Sequence, residues 1–569
     1  FGLGFTGALT PTAAVPTTSE LAARSASAER ELARGQDAHA SLMSNFDLVD
    51  GDPRIARVGT ILPWFVQNAV IHMSAAHGLE QYLGAAWGTR DVCQGPTEML
   101  LAFGRSADVR EILTVVFANQ HTDGGWPQWF MYDNNGDIRA GDSHGDVVFW
   151  PLRALCDYVE ATGDLALLDD RLPYHDGADT LSETVFEHVS RALSNIRTAF
   201  VPDTSLVAYG HGDWNDSLQP ADPALARQMV SSWTVGLCYE TLTALAAVCR
   251  SAGRDASAAE LSALGARVRR DFNARLVHDG VVCGFGILAD DATTTPLLHP
   301  SDTRTGIHHR LLPMIRGIIS GIFTPEQAQV HADLISEHLV CPDGARLMDR
   351  PPRYDGGRQH IFQRGESATF FGREIGIMYV HAHIRYAQAM ACMGRADDLL
   401  TALMAMVPVE IGESVPNAVL RQSNAYFSSS DAAFTDRSQA DREYGRVKDG
   451  SIPAKGGWRI YSSGPGLCVS LVLRHLLGIR RCGDRILFDP VLPKSLDGLS
   501  VDWSLAGQRV RFRYAVADRS FGPESICVNG HKLAAERAVH PYRVGGLTVG
   551  LDDVMEKLDG GQDEIVVAM

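Results

Sequence analysis

Between Gly141 and Asp164 the chain reads Gly-Asp-Ser-His-Gly-Asp-Val-Val-Phe-Trp-Pro-Leu and runs on to Glu-Ala-Thr-Gly-Asp. Two carboxylates, Asp142 and Asp146, flank an imidazole and a glycine at the mouth of an apolar helical run starting near Val147. A carboxyl beside Phe149 and Trp150 at such a junction is partly desolvated. Desolvation disfavours its charged form and lifts its pKa toward neutral pH, as a proton donor requires. Asp146 is therefore the candidate general acid. Spacing alone leaves a plain cap of the following helix equally open.

Four further segments share one composition of aromatic, carboxylate, amide and glycine: Trp87-Gly-Thr-Arg-Asp-Val-Cys-Gln94, Asp123-Gly-Gly-Trp-Pro-Gln-Trp129, Gly212-Asp-Trp-Asn-Asp216 and Gly365-Glu366. Sugars present hydroxyl edges and apolar faces, so a saccharide site needs Asp, Arg or Gln partners beside flat rings. For Trp129 or Asp216 taken singly, a core aromatic or a loop-bracing turn outweighs ligand contact by about two to one. The coincidence of the segments carries the inference.

These segments need elements to hold them. From about Asp52 to Leu477 the apolar period is helical: Trp233, Leu237, Leu245, Val248 and Cys249 fall mostly three or four apart, and Leu261, Leu264, Val268 and Phe272 do likewise with arginines between. Long loops at 121–146, 203–222, 343–373 and 421–466 separate the helices, and loops of that length are functional more often than not. Many helices joined alternately by brief and long connections predict an α/α toroid with the loops and the site at one end. After Arg480 the period becomes two, with Val510, Phe512, Tyr514 and Val516 alternating with arginines, and Asn529-Gly530 marks a hairpin. The expected division is 1–50 linker and connecting helix, 51–480 helical barrel, and 481–569 a C-terminal β-sandwich-like domain that braces the barrel.

Composition narrows the partners. The 569 residues carry 51 Lys and Arg against 68 Asp and Glu, a net charge of −17 that disfavours nucleic acid or an anionic membrane. The ten cysteines show no C-x-x-C pair, which predicts buried free thiols in a cytoplasmic protein. The start, Phe-Gly-Leu-Gly-Phe, has neither an initiator Met nor a basic n-region, so a cut or processed longer chain is expected.

Pro63-Trp-Phe-Val-Gln67, Gly88-Thr-Arg-Asp-Val-Cys-Gln94 and Asp146 four residues before Trp150 follow one another in an order that resembles glycoside hydrolase family 94. Gly212-Asp-Trp-Asn-Asp216, Leu347-Met-Asp-Arg-Pro-Pro352, Gly365-Glu-Ser-Ala368 and Leu487-Phe-Asp-Pro-Val-Leu-Pro493 continue the series to the end of the chain. That family comprises inverting β-glycoside phosphorylases. The resemblance implies a mainly α fold, an (α/α)6 barrel with a C-terminal β-layer, and an N-terminal β-sandwich of which almost nothing is present here. It implies Asp146 as catalytic acid, with Asp142 as the fallback, and Arg90, Asp91, Gln94 and Glu366 around the terminal sugar. Trp129 and His144 complete the substrate-binding set. His144 stands where the family often has Trp, a departure in the sugar platform. Arg373 stands where it has a phosphate-binding His, and Ser463-Gly464 where it has Thr-Gly. A guanidinium, a hydroxyl and a backbone N–H can cradle phosphate.

The function implied is inverting phosphorolysis of β-linked gluco-oligosaccharides, nearest the members acting on β-1,2-linked oligoglucans, giving α-glucose 1-phosphate. A phosphorylase needs only the acid, because phosphate is already an anionic nucleophile; an inverting hydrolase needs a second carboxylate to activate water. The alternatives are an inverting hydrolase or transglycosylase with Glu366 as base, and a carbohydrate-binding protein without turnover. The expected partners are an oligosaccharide and inorganic phosphate as co-substrate, with no metal, no other cofactor, no nucleic acid and no membrane; a homodimer is the oligomer considered.

Overall fold

The helical period and the burial coincide. Trp233, Leu237, Leu245, Val248 and Cys249 are all buried along Ser232–Ser251, and Leu261, Leu264, Val268 and Phe272 along Asp255–Arg275, the two helices packing on each other. The computed structural model describes residues 18–43, 45–49, 51–74, 86–131, 135–178, 181–289, 291, 293–352, 356–367, 376–457 and 463–569.

The principal helices in chain order are α1 (Thr18–Leu42), α2 (Pro53–Ser74), α3 (Gly95–Ala102), α4 (Ser106–Ala118), α5 (Phe149–Thr162), α6 (Val185–Thr198) and α7 (Ser232–Ser251). They continue with α8 (Asp255–Arg275), α9 (Leu311–Ile319), α10 (Pro325–Leu334), α11 (Val380–Met393), α12 (Ala396–Ala405) and α13 (Gly464–Leu471). The odd-numbered helices from α3 onward touch in a cycle: α3 on α5, α5 on α7, α7 on α9, α9 on α11, α11 on α13, and α13 back on α3. Even-numbered helices pack outside them, α4 against α3 and α5, α8 against α7, α10 against α9 and α12 against α11. Turns of a few residues leave α3, α7, α9 and α11; Gly394, at φ +72°, ends α11 in the left-handed conformation that glycine adopts without strain. Apart from the 163–184 connection into α6, the long connections enter the odd-numbered helices at their N-termini, so loops far apart in sequence share one end of the cycle. Gly145 N–H donates to Gly212 O at 3.0 Å, and Pro220 bridges to Phe362.

The other end is covered by the C-terminal strands. In Gln508–Ala515, Val510, Phe512 and Tyr514 are buried and the intervening arginines are exposed. Asn529 (φ +48°) and Gly530 (φ +80°) make the two-residue hairpin between Val528 and His531. Arg543 donates to the Ala391 carbonyl near the end of α11, and Tyr514 Oη donates to Leu477 O. The 1–50 stretch contains α1 and also a strand, Asp47–Val49, which pairs with Ser500–Leu505 at the edge of a six-stranded sheet. Its two polar–apolar steps are too short to announce a strand. Among the described residues no helix is long and apolar enough to cross a membrane.

Candidate active site

Six helix N-termini converge beneath the long loops. Gln94 precedes the first turn of α3, Asp146 lies just before α5, Ser231, Arg310 and Ser463 immediately precede α7, α9 and α13, and His381 is in the first turn of α11. Each N-terminus presents backbone N–H groups without helical partners and the positive end of a dipole, so the convergence favours anionic groups.

Asp146 is fully buried. Its Oδ1 accepts from Arg90 Nη2 at 2.7 Å and its Oδ2 accepts from Trp150 Nε1 at 2.9 Å. Its side chain does not cap α5: the N-cap is Val148, with no side-chain hydrogen bond. Burial pushes the Asp146 carboxyl above its ordinary range, against the pull of Arg90, His144 and the Trp150 N–H, and Asp213 adds to the rise. Asp142 is exposed and lacks that environment.

His144 joins the neighbouring loops. Its backbone N–H donates to Gln128 Oε1 at 3.0 Å, and its Nδ1 lies 3.0 Å from the Asp213 carbonyl and 3.3 Å from Asp216 Oδ1. With the proton on Nδ1 it donates to the Asp213 carbonyl, and without it Nδ1 accepts from Arg90. Arg90 Nη2 is 3.2 Å from the same nitrogen. Trp129 is half-buried, its strand paired with Trp87–Gly88, which delivers Thr89 and Arg90 to the site. A cavity of about 280 Å³ is lined by Asp142, His144, Gly145 and Trp126 and stops short of Asp146.

Asp91 and Gln94 meet the opposite wall. Arg385 Nη2 donates to Gln94 Oε1 at 3.3 Å, so that oxygen also accepts from His381 Nε2–H at 3.3 Å. His381 Nδ1 then accepts from Ser463 Oγ at 3.1 Å, and Asp91 Oδ1, at 3.4 Å, is the longer competing acceptor. Burial, with Arg385, Arg90 and Arg316 nearby, holds the imidazole well below its ordinary value and so neutral. Backbone contact sets this geometry. A Cβ on Gly95 would lie 1.9 Å from Ser463 O, and one on Gly466 would lie 2.3 Å from Gly95 O. Gly464 faces Tyr426, whose hydroxyl would be 2.0 Å from a Cβ there.

Glu366 is buried, and its carboxylate accepts from three backbone N–H groups: His360 at 2.8 Å, Ile361 at 2.6 Å and Phe362 at 2.8 Å. Arg373 lies outside the described residues. Motif reading missed two groups here, His381 and the buried pair of Asp213 Oδ2 with Arg310 Nη2 at 3.1 Å. Asp213 stood inside the Gly212–Asp216 motif, whereas Arg310 and His381 carry no local signal. Among the described residues no cluster of three His, Cys, Asp or Glu side chains is placed to hold a metal.

The helical body, the C-terminal sheets and the loop-end carboxylates are those of a glycoside-active family, and the chain belongs to the Glycosyl hydrolase 94 superfamily. Residues 84–441 match its catalytic domain, and residues 478–566 match the Glycoside phosphorylase C-terminal domain. The chain is 43% identical over 513 residues to the 1,2-beta-oligoglucan phosphorylase of Listeria innocua, covering 89% of this chain and 46% of that protein. It is 24% identical over 404 residues to the N,N'-diacetylchitobiose phosphorylase of Vibrio furnissii, covering 70% and 46%. The chain thus spans about half the length of these curated relatives. Among solved structures it resembles an alpha-L-rhamnosidase from Dictyoglumus thermophilum in fold, with TM-score 0.50 and 10% identity over 89% of this chain and 49% of that one.

Proposed function

We propose that this chain carries the catalytic part of an inverting phosphorylase that splits β-linked gluco-oligosaccharides, β-1,2-linked ones first, into α-glucose 1-phosphate and a shortened acceptor. The observation that carries the reading is Asp146, a fully buried carboxyl raised toward neutral pH at the meeting point of the long loops. Asp146 protonates the departing oxygen. Arg90 orients it, and Asp91, Gln94, Trp129 and His144 hold the terminal sugar. Phosphate attacks the anomeric carbon from the opposite face, cradled by Ser463, the Gly464 backbone at the N-terminus of α13, and Arg373, which is assigned by the family resemblance.

The preference for phosphorolysis over hydrolysis draws on the likeness to the Listeria phosphorylase, while Glu366 accepts three backbone N–H bonds from its own loop. We place it as the brace that sets the sugar-facing loop. The β-1,2 preference draws on the likeness to the Listeria protein, and the (α/α)6 barrel on the cycle of six inner helices with others outside. The partition near 480 draws on the matched ranges 84–441 and 478–566. Ten free cysteines, Cys93 and Cys156 among the buried ones, support a cytoplasmic setting.

The decisive experiment mixes the protein with α-glucose 1-phosphate and a panel of β-linked glucose disaccharides and follows phosphate release. Release with the β-1,2-linked acceptor is expected. Sugar release from an oligoglucan without phosphate would replace the phosphorylase with the hydrolase.

A further inference from the structure

The cycle of inner helices encloses a second cavity, of about 250 Å³, whose wall includes Trp150, the residue that donates to Asp146. Its lining is charged to a degree that a helical interior rarely tolerates, since burying an ion without a partner is costly. The six lining arginines are Arg153, Arg316, Arg385, Arg474, Arg480 and Arg543. Five have a carboxylate within hydrogen-bond distance: Arg153 with Asp157 at 2.7 Å, Arg316 with Glu240 and Arg385 with Glu98 at 2.5 Å, Arg480 with Asp489 at 3.0 Å, and Arg543 with Asp489 at 2.7 Å.

Arg474 is the exception. Among the described residues its side chain has neither an ion pair nor a hydrogen bond, although it lines the cavity. It sits in the widened turn Val472–Leu476 that prolongs α13, beside His475, which faces the same space and whose side chain also has no hydrogen bond among the described residues. Asp157 feels the charge of Arg474 but is hydrogen-bonded to Arg153, and Glu160 stands exposed at the edge. Burial pushes the Asp157 carboxyl up to about 6, so it too can carry a proton. Among the described residues, Arg474 and His475 are thus the cation and the imidazole of the lining to which no carboxylate is hydrogen-bonded.

We propose that this cavity is an anion site distinct from the catalytic one, taking a small tetrahedral oxyanion of the phosphate and sulfate class against Arg474 and His475. A guanidinium offers such an ion two parallel donors, and the imidazole a third. The volume holds the ion with several waters. The site does not depend on phosphate being a substrate, and its wall is shared with the active site through Trp150.

Equilibrium dialysis of the whole chain against radiolabelled inorganic phosphate, and separately sulfate, tests this. Arg474→Gln is expected to bind one ion fewer per chain than the wild type while its phosphate KM in turnover stays unchanged. Arg474→Lys, which keeps the charge, should retain the ion with weaker affinity. Should Arg474→Gln fail to fold, His475→Gln must weaken the same binding step. If phosphorolysis itself is wrong, the wild type binds one ion in place of two and Arg474→Gln binds none. Unchanged stoichiometry in Arg474→Gln would overturn the site, and loss of the ion together with a raised phosphate KM would assign Arg474 to the catalytic site instead.

Discussion

Arg90 Nη2 lies 2.7 Å from Asp146 Oδ1, in a pair whose side chains are 8% and 0% exposed. The proposed acid is thus held by a cation that favours its charged form while burial favours the neutral one, and burial is the larger effect. The pair can position the carboxyl without fixing it as a carboxylate.

Asp146→Asn keeps the shape and the Trp150 contact but removes the transferable proton. Turnover should fall by at least ~100-fold, the low end for loss of a general acid, with oligosaccharide affinity nearly intact. Steady-state kinetics beside Asp142→Asn check this, because the exposed Asp142 should be dispensable. Inactive Asp142→Asn with active Asp146→Asn would reverse the assignment.

The acid must be protonated to work, so activity is lost as pH rises through the Asp146 pKa. Removing the cation beside it raises that pKa further. The alkaline limb of kcat/KM in Arg90→Gln should therefore move to higher pH, whatever happens to its amplitude; a limb displaced to lower pH would contradict the pair.

Ser463→Ala removes a hydroxyl that can turn from His381 to an incoming oxyanion. The phosphate KM should rise about tenfold, the effect of one hydrogen bond of roughly 1.4 kcal/mol, with oligosaccharide binding unaltered. An equal loss for both substrates would place Ser463 in a purely structural role.

Gly95→Ala puts a methyl carbon where Ser463 O stands, 1.9 Å away. Neither backbone can give way without separating α3 from α13, so the expected cost is about 3 kcal/mol or more, at the upper end for overpacking. Thermal unfolding measures it, and a wild-type Tm would mean that the two N-termini are not in contact.

Asp431 supplies a pH dependence of stability. Burial pushes its carboxyl up to about 7 from 3.8, against Arg346 and Arg421, and its Oδ1 is buried without a hydrogen bond among the described residues. Between those values the folded chain keeps a proton that the unfolded chain has released, so stability declines as pH rises across the window. Asp431→Asn should flatten that decline and unfold at higher temperature than the wild type at pH 8, by at most about 4 kcal/mol. Parallel melting curves at pH 5 and pH 8 give the comparison.

What could be read from sequence was whatever depends on neighbours along the chain. Trp233 and Leu237 announce a buried helical face, and Asn529-Gly530 a hairpin. Asp146 stands four residues before Trp150, the spacing that brings the indole N–H to the carboxylate across the start of α5. The contacts of Arg90 with Asp146 and of Ser463 with His381 join residues 56 and 82 apart. No local pattern encodes them, because the packing of the inner helices makes them. The cap alternative for Asp146 failed for a local reason: the helix begins two residues later than the apolar run suggests, which frees the carboxylate for Arg90.

The strand Asp47–Val49 finds its partner at Ser500–Val501–Asp502, so this sheet edge closes only after residue 502 has been made. Until then the early segment waits with its backbone unpaired while the helices between assemble. Closing so long a loop is entropically slow rather than prohibitive. A three-residue pairing at a sheet edge is among the first pieces to fray, so a protease is expected to nick the chain beside Asp47–Val49 before it opens the helices.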